Sequence, residues 1–149
     1  MQMVIFIGIQ GAGKSTFFKK YFSDTHIRIN LDMLKTKHRE KLLIEACLEA
    51  KQPFVIDKTN PTIENRAKYI ALAKEYKFAV IGYYFASNLA DAIERNNKRE
   101  GKAKIPEKAI HSTFNRLQIP KLPEGFDELF YVKIDSAKVF DVETWKDEV

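Results

Sequence analysis

Met3-Val4-Ile5-Phe6-Ile7-Gly8-Ile9-Gln10-Gly11-Ala12-Gly13-Lys14-Ser15-Thr16 decides how the rest of the chain is read. Five apolar residues open it and predict a buried β-strand. Phe17 to Phe22 beyond it reads as a helix. Between them lies the G-x-x-x-x-G-K-[ST] spacing of a phosphate loop, in the strand–turn–helix context that spacing needs. Gly8, Gly11 and Gly13 are expected to take positive φ and to let backbone approach a polyphosphate without a Cβ in the way. The amides around Gln10, Gly11, Ala12, Gly13, Lys14, Ser15 and Thr16 then converge on one anion site at a helix N-terminus. Lys14 is placed to reach the β- and γ-phosphates, and the Ser15 hydroxyl to sit on Mg²⁺. The stretch predicts ATP and Mg²⁺ as ligands.

The chain has 149 residues, the usual size of one domain with a real core. Its apolar runs are too short to span a bilayer, so no membrane partner is expected. The first nine residues lack a basic leader and read as a strand rather than a signal peptide. The single cysteine, Cys47, cannot form an internal disulfide, which predicts a reducing cytoplasm. It also falls on an apolar stripe, Leu42, Leu43, Ala46, Cys47 and Ala50, so a buried role is expected. The formal net charge of +5 is modest support for a polyanionic partner. Its distribution says more: Arg95, Lys98, Arg99, Lys102, Lys104 and Lys108 crowd one segment, whereas Asp141, Glu143, Asp147 and Glu148 gather near the end. His26, His38 and His111 are scattered without metal-ligand spacing.

Further strands are predicted over His26–Ile29, Pro53–Ile56, Phe78–Phe85 and Leu129–Ile134. Helices are expected from Leu31 onward, from Asn60 or Thr62 with Pro61 in the first turn, after Ser87, and from Pro106. The second of these presents Ile63, Ala67, Ile70 and Ala71 as its apolar face and ends near Tyr76. Pro120–Gly125 reads as a loop, and residues from 137 on as a tail packing Phe140, Val142 and Trp145 on the body. Strands alternating with helices predict one α/β domain over residues 1–149, and with the phosphate loop a phosphate-loop NTPase or kinase fold is expected. It has a five-stranded parallel sheet, helices on both faces and a helical lid over about residues 95–106.

Ligands of such sheets bind beyond the carboxyl ends of the strands. Past the second strand lies Asn30-Leu31-Asp32, and past the third Asp57-Lys58-Thr59-Asn60. An acid on this rim can hold a metal or accept a hydroxyl proton. Asp57, directly ending a strand, suits Mg²⁺ or its waters; Asp32, one turn into the next element, suits an incoming acceptor. Each can instead cap a helix, and the residues leave that choice open. Arg95 and Arg99, four apart, are expected to share a helix face and close over the phosphates.

These residues together resemble the kinase domain of the polynucleotide 5′-hydroxyl kinases, both the phage type and the animal repair type. The resemblance runs from about Met3 to Ile134. It includes the phosphate loop, Asn30-x-Asp32, Ile56-Asp57-x-Thr59-Asn60-Pro61 with Arg66 following, Arg95-Asn96-x-x-Arg99, Ile105-Pro106 and Pro123-Glu124-Gly125-Phe126. It implies Asp32 as general base for the acceptor hydroxyl and Arg99 as the lid arginine on the transferring phosphates. It also implies Thr59 and Asn60 on the acceptor side. The phage-type enzyme carries an arginine three residues after the base, where this chain has Lys35, a charge without a bidentate fork. The sequence therefore points to transfer of a γ-phosphate from ATP to the 5′-hydroxyl of a nucleic acid. Two alternatives are a kinase of a small hydroxylated molecule (nucleoside, antibiotic or sugar) and a non-catalytic ATP-binding module.

Overall fold

Met3, Ile5 and Ile7 face one side of a sheet and Val4 and Phe6 the other, and all five are buried. That two-sided burial makes the first strand a continuous apolar run rather than an alternating one. The computed structural model describes residues 1–86, 88–101, 104–135 and 139–145. In chain order the strands are β1 (Gln2–Ile7), β2 (Ile27–Ile29), β3 (Phe54–Ile56), β4 (Ala79–Phe85), β5 (Glu128–Ile134) and β6 (Phe140–Thr144). The helices are α1 (Lys14–Tyr21), α2 (Leu31–Leu34), α3 (Lys37–Ala50), α4 (Ile63–Glu75), α5 (Leu89–Asn97) and α6 (Glu107–Arg116), with a 3₁₀ turn at Leu122–Glu124.

The sheet order is β2-β3-β1-β4-β5-β6. The first five strands are parallel, and β6 runs antiparallel on β5. On one face, Ile44, Cys47 and Leu48 of α3 and Tyr69, Ile70 and Ala73 of α4 pack on Met3, Ile5, Ile29, Phe54 and Ile56. On the other, Phe17 and Phe18 of α1, Ala92 of α5 and Ile110 of α6 pack on Val4, Phe6, Val55, Ile81 and Phe85. Each Val, Leu, Ile, Phe or Met side chain among these contributes about 1.5–3 kcal/mol when fully buried. Phe17 meets Phe6, Phe85 and Phe140 edge-on.

Several sequence expectations change. The sheet has six strands rather than five, because residues 140–144 of the expected packing tail form β6. Phe140 is buried and Trp145 packs edge-on against Tyr84, but Val142 is 41% exposed. The helix expected from Leu31 breaks into α2 and α3: Lys35 takes φ 74°, and Thr36 restarts the helix by accepting from the Arg39 amide. The buried stripe of α3 is Glu40, Ile44, Cys47 and Leu48, so Leu42 faces solvent. That of α4 is Arg66, Tyr69, Ile70 and Ala73, not Ile63, Ala67 and Ala71. Thr62 caps α4 in a reciprocal capping box with Asn65, leaving Pro61 outside the helix. Ser87 lies outside the described residues, and Asn88 caps α5.

Two charged groups take core positions because each is paired. Arg66 is fully buried; its Nε and Nη2 donate to the two carboxylate oxygens of Glu124 at 2.8 and 3.1 Å, and its Nη1 to the Asn60 carbonyl at 2.9 Å. One turn along α4 from Arg66, Tyr69 Oη donates to Glu40 at 2.6 Å, and Lys58 Nζ donates to the same carboxylate at 3.3 Å. The buried phenol donates to a carboxylate, so burial and Glu40 both push its pKa up.

Asp127 ties the start of β4 to α4. Its carboxylate accepts from the Val80 amide at 2.7 Å and from Lys74 at 3.1 Å, which holds its pKa below the ordinary 3.8. A depressed native pKa adds stability in full above the unfolded value, lost as pH falls through the native one. Asp127→Ala is expected to cost about 1 kcal/mol at pH 7, exposure having trimmed the charge-assisted bond. In urea titrations the gap between variant and parent should close below about pH 4. A gap unchanged at pH 2.5 would contradict the assignment.

Candidate functional site

The glycine-rich turn leaves β1 at the carboxyl edge of the sheet and ends in α1. Gly11 and Gly13 have φ of 80° and 95°, where L side chains are strained, as the sequence predicts. Gly8 does not share that conformation; it is needed for space, since a Cβ there would lie 3.0 Å from that of Phe85 on β4. Gly13 is the N-cap of α1 without a side-chain cap bond, so the first-turn amides of Lys14, Ser15 and Thr16 are not claimed by a capping side chain. Ala12 is buried beneath the turn, and Thr16 is exposed. Gln10 Nε2 donates to Thr113 of α6 at 3.0 Å, tying the loop to that helix. Arg95 Nη1 donates to the Gly11 carbonyl at 2.6 Å from the other side.

Lys14 arches back over its own loop and donates to the Gly8 and Ile9 carbonyls at 2.9 and 2.7 Å. Desolvation lowers its pKa to about 8; the Asp57 carboxylate opposes that and Arg99 adds to it. Lys14, Asp57 and Arg99 thus share one electrostatic neighbourhood.

The turn opens on a cleft of about 1210 Å³. Its lining brings together Gln10, Gly11, Gly13, Lys14 and Ser15 of the turn, Asn30, Asp32 and Lys35 past β2, Asp57, Lys58 and Thr59 past β3, and Arg99, Lys104, Ile105 and Pro106. Asp32 is exposed on α2. The capping work there belongs to Asn30, which accepts from the Met33 amide at 3.0 Å and donates to the Asp57 carbonyl at 3.1 Å. Among the described residues Asp32 has no hydrogen-bond or ion-pair partner.

Asn60 is not on this cleft. Its amide is buried, donating to the Phe6 carbonyl at 2.8 Å, and the residue lines a neighbouring cavity of about 170 Å³ with Thr59, Lys68 and Arg116. Thr59 borders both cavities, and its carbonyl accepts from the Gly8 amide at 3.0 Å. Arg95 and Arg99 do not share a helix face, because α5 ends at Asn97. Arg99 instead follows in a loop closed at its base by Asn96, whose side-chain amide bonds both backbone groups of Ile105. Lys102 lies outside the described residues.

The residue that sequence reasoning missed is Arg28. It stands in the middle of β2, where the alternation with Ile27 and Ile29 is the only sequence signal of its direction. Its Nε donates to Asp57 Oδ2 at 2.7 Å and its Nη2 to Ser15 Oγ at 2.9 Å. One guanidinium thus bridges the Asp57 carboxylate and the Ser15 hydroxyl. Among the described residues no cluster of three or more His, Cys, Asp or Glu side chains is placed to hold a metal. A hard ion here would therefore take its other ligands from phosphate and water, the usual habit of Mg²⁺.

No helix among the described residues is long and apolar enough to cross a membrane. Residues 3–119 match the family model described as an AAA domain. The chain is 32% identical over 97% of its length to the bifunctional polynucleotide phosphatase/kinase of Schizosaccharomyces pombe, of which it spans 36%. Among solved structures it resembles a gluconokinase from Sinorhizobium meliloti, with a TM-score of 0.61 and 17% identity over 89% of this chain and 82% of that one. It also resembles the AvrRxo1-ORF1:-ORF2 complex with ATP, with a TM-score of 0.72 and 13% identity over 95% of this chain and 57% of that one. The glycine turn, the parallel α/β sheet and the match over most of the chain have one reading: this protein belongs to the AAA-domain family of phosphate-loop proteins.

Proposed function

We propose that the protein is an ATP-dependent phosphotransferase that passes the γ-phosphate to the 5′-hydroxyl of a nucleic acid. The observation carrying this reading is the unengaged Asp32 carboxylate on the same cleft as Lys14, Ser15 and Arg99. The amides of the turn and of the first turn of α1 cradle the triphosphate, and Lys14 exchanges its loop carbonyls for phosphate oxygens. Ser15 and Asp57 would hold Mg²⁺, which would supply neutralisation of phosphate charge. Asp32 accepts the proton of the acceptor hydroxyl as it attacks in line, and Arg99 stabilises charge on the transferring group.

A nucleic-acid acceptor is supported by the similarity to the Schizosaccharomyces pombe polynucleotide phosphatase/kinase and by Lys35 and Lys104 on the cleft, which suit phosphates of a strand. A small hydroxylated acceptor is the second reading, favoured by Lys35 standing where a bidentate arginine would grip a phosphate better. Labelled ATP offered with a 5′-hydroxyl oligonucleotide, a nucleoside and a panel of sugars separates them. Label on the oligonucleotide, with a KM that rises steeply with salt, is the expected result. Label confined to small alcohols, with a KM indifferent to salt, would overturn it.

Arg99→Ala is expected to depress kcat by about 10³-fold while leaving ATP affinity nearly unchanged, because an arginine of this kind acts most strongly in the transition state. Single-turnover rates and equilibrium nucleotide titrations check this. Weaker ATP binding at unchanged kcat would make Arg99 a ground-state contact.

A further inference from the structure

We infer that Arg28 is a resident cation that a divalent metal must displace, so that this arginine sets the metal concentration at which the phosphate loop loads. The inference rests on the reading of Ser15 and Asp57 as the metal side of the site. Asp57 is 2% exposed, and a carboxylate so deeply placed needs a positive partner. Arg28 supplies it through Nε at 2.7 Å, and the same guanidinium extends through Nη2 to Ser15 Oγ. It therefore engages one carboxylate oxygen of Asp57 and the Ser15 hydroxyl, the two side chains a metal would use.

Coexistence is unfavourable. Mg²⁺ sits about 2.0–2.1 Å from its oxygens, while Nη2 already lies 2.9 Å from Ser15 Oγ. An ion on that hydroxyl would stand beside a guanidinium bonded to the same oxygen, two like charges competing for Ser15 and for the buried Asp57 carboxylate. The side chain has somewhere to go: it is 24% exposed, β2 is the edge strand of the sheet, and the guanidinium lies 5.7 Å from the Phe18 ring. The exchange swaps one neutralising charge on Asp57 for another. What differs is that the metal comes with phosphate oxygens and the arginine does not. Lys14 does not bond the Asp57 carboxylate; its ammonium donates to the Gly8 and Ile9 carbonyls.

The test counts bound metal rather than turnover. Mn²⁺ binding in the presence of saturating ADP is followed by the loss of the free-ion EPR signal, in the parent protein, Arg28→Ala and Arg28→Lys. Affinity for Mn²⁺ should be about tenfold tighter in Arg28→Ala, the size expected when a charge-assisted competitor is removed. Arg28→Lys, which keeps a charge but cannot span both oxygens, should fall between the two. It also serves if the alanine variant folds poorly with Asp57 left unpaired. Equal affinity in all three proteins, or weaker binding in the variants, would overturn the role of Arg28 alone. Absence of Mn²⁺ binding with ADP in every protein, or binding unaffected by Ser15→Ala and Asp57→Asn, would overturn the metal reading and this inference together.

Discussion

Asp32→Ala is expected to bind ATP within about threefold of the parent and to lose between about 10² and 10⁴ in kcat, the usual worth of a positioned general base. The structure explains why the two effects separate. Asp32 is exposed on a four-residue helix whose cap is Asn30, and it holds no partner among the described residues. Deleting its carboxylate removes no framework contact. It stands on α2, past β2, and is not part of the glycine turn that supplies the amides and Lys14. Calorimetric titration with ATP and single-turnover transfer to a 5′-hydroxyl oligonucleotide measure the two halves of this expectation. Parental turnover in the variant would defeat the assignment of Asp32 as base.

Glu124→Ala should be the most destabilising of the substitutions considered, by about 3–5 kcal/mol, because it strands a fully buried guanidinium. Arg66 would keep one carbonyl, that of Asn60, and lose both carboxylate bonds. At about 2–4 °C per kcal/mol for a domain of this size, the melting temperature should fall by about 10 °C or more. The double variant Arg66→Met, Glu124→Leu should recover much of the loss, since a buried pair is replaced well by apolar groups of similar bulk. The consequence reaches the cleft. Arg66 holds the Asn60 carbonyl, Asn60 holds Phe6, and Thr59 beside it receives the Gly8 amide, so this pair braces the loop between β3 and α4. A melting temperature unchanged in Glu124→Ala would show that the pair contributes nothing.

That pair also shows where sequence reading stops. The phosphate loop, the parallel strands and the acidic rim after β2 and β3 were legible because local pattern determines them: apolar runs, a fixed glycine spacing, and position just past a strand. The apolar faces of α3 and α4 were misplaced because Glu40 and Arg66 occupy core positions. A polar residue reads as solvent-facing until its partner is known, and those partners lie 29 and 58 residues away, at Tyr69 and Glu124. The motif Pro123-Glu124-Gly125-Phe126 could be quoted from the sequence, but its work as a counter-charge and a packing turn is visible only in three dimensions. Gly125 takes φ 122° with its α-carbon against Ile70, where a Cβ would come within 2.7 Å.

β6 escaped notice for a related reason. Asp141 and Glu143 alternate with apolar residues, but the strand lies at the sheet edge and of its residues only Phe140 is buried. It matters to the site nonetheless, because the Phe140 ring lies 3.3 Å from where a Cβ on Gly13 would stand. Arg28 was passed over because one charge in a three-residue strand carries no pattern of its own. Its meaning comes from Ser15 and Asp57, which converge only once α1 and β3 are in place.

The account stands on a triphosphate held by the turn after β1 with its terminal group facing Asp32. A crystal structure with Mg²⁺ and a non-hydrolysable ATP analogue tests that most directly. The account predicts phosphates along the amides from Gly11 to Ser15, the metal on Ser15 and Asp57 with Arg28 moved aside, and the γ-phosphorus directed across the cleft at Asp32. A nucleotide bound elsewhere, or an Asp32 carboxylate turned away from the γ-phosphate, would contradict it.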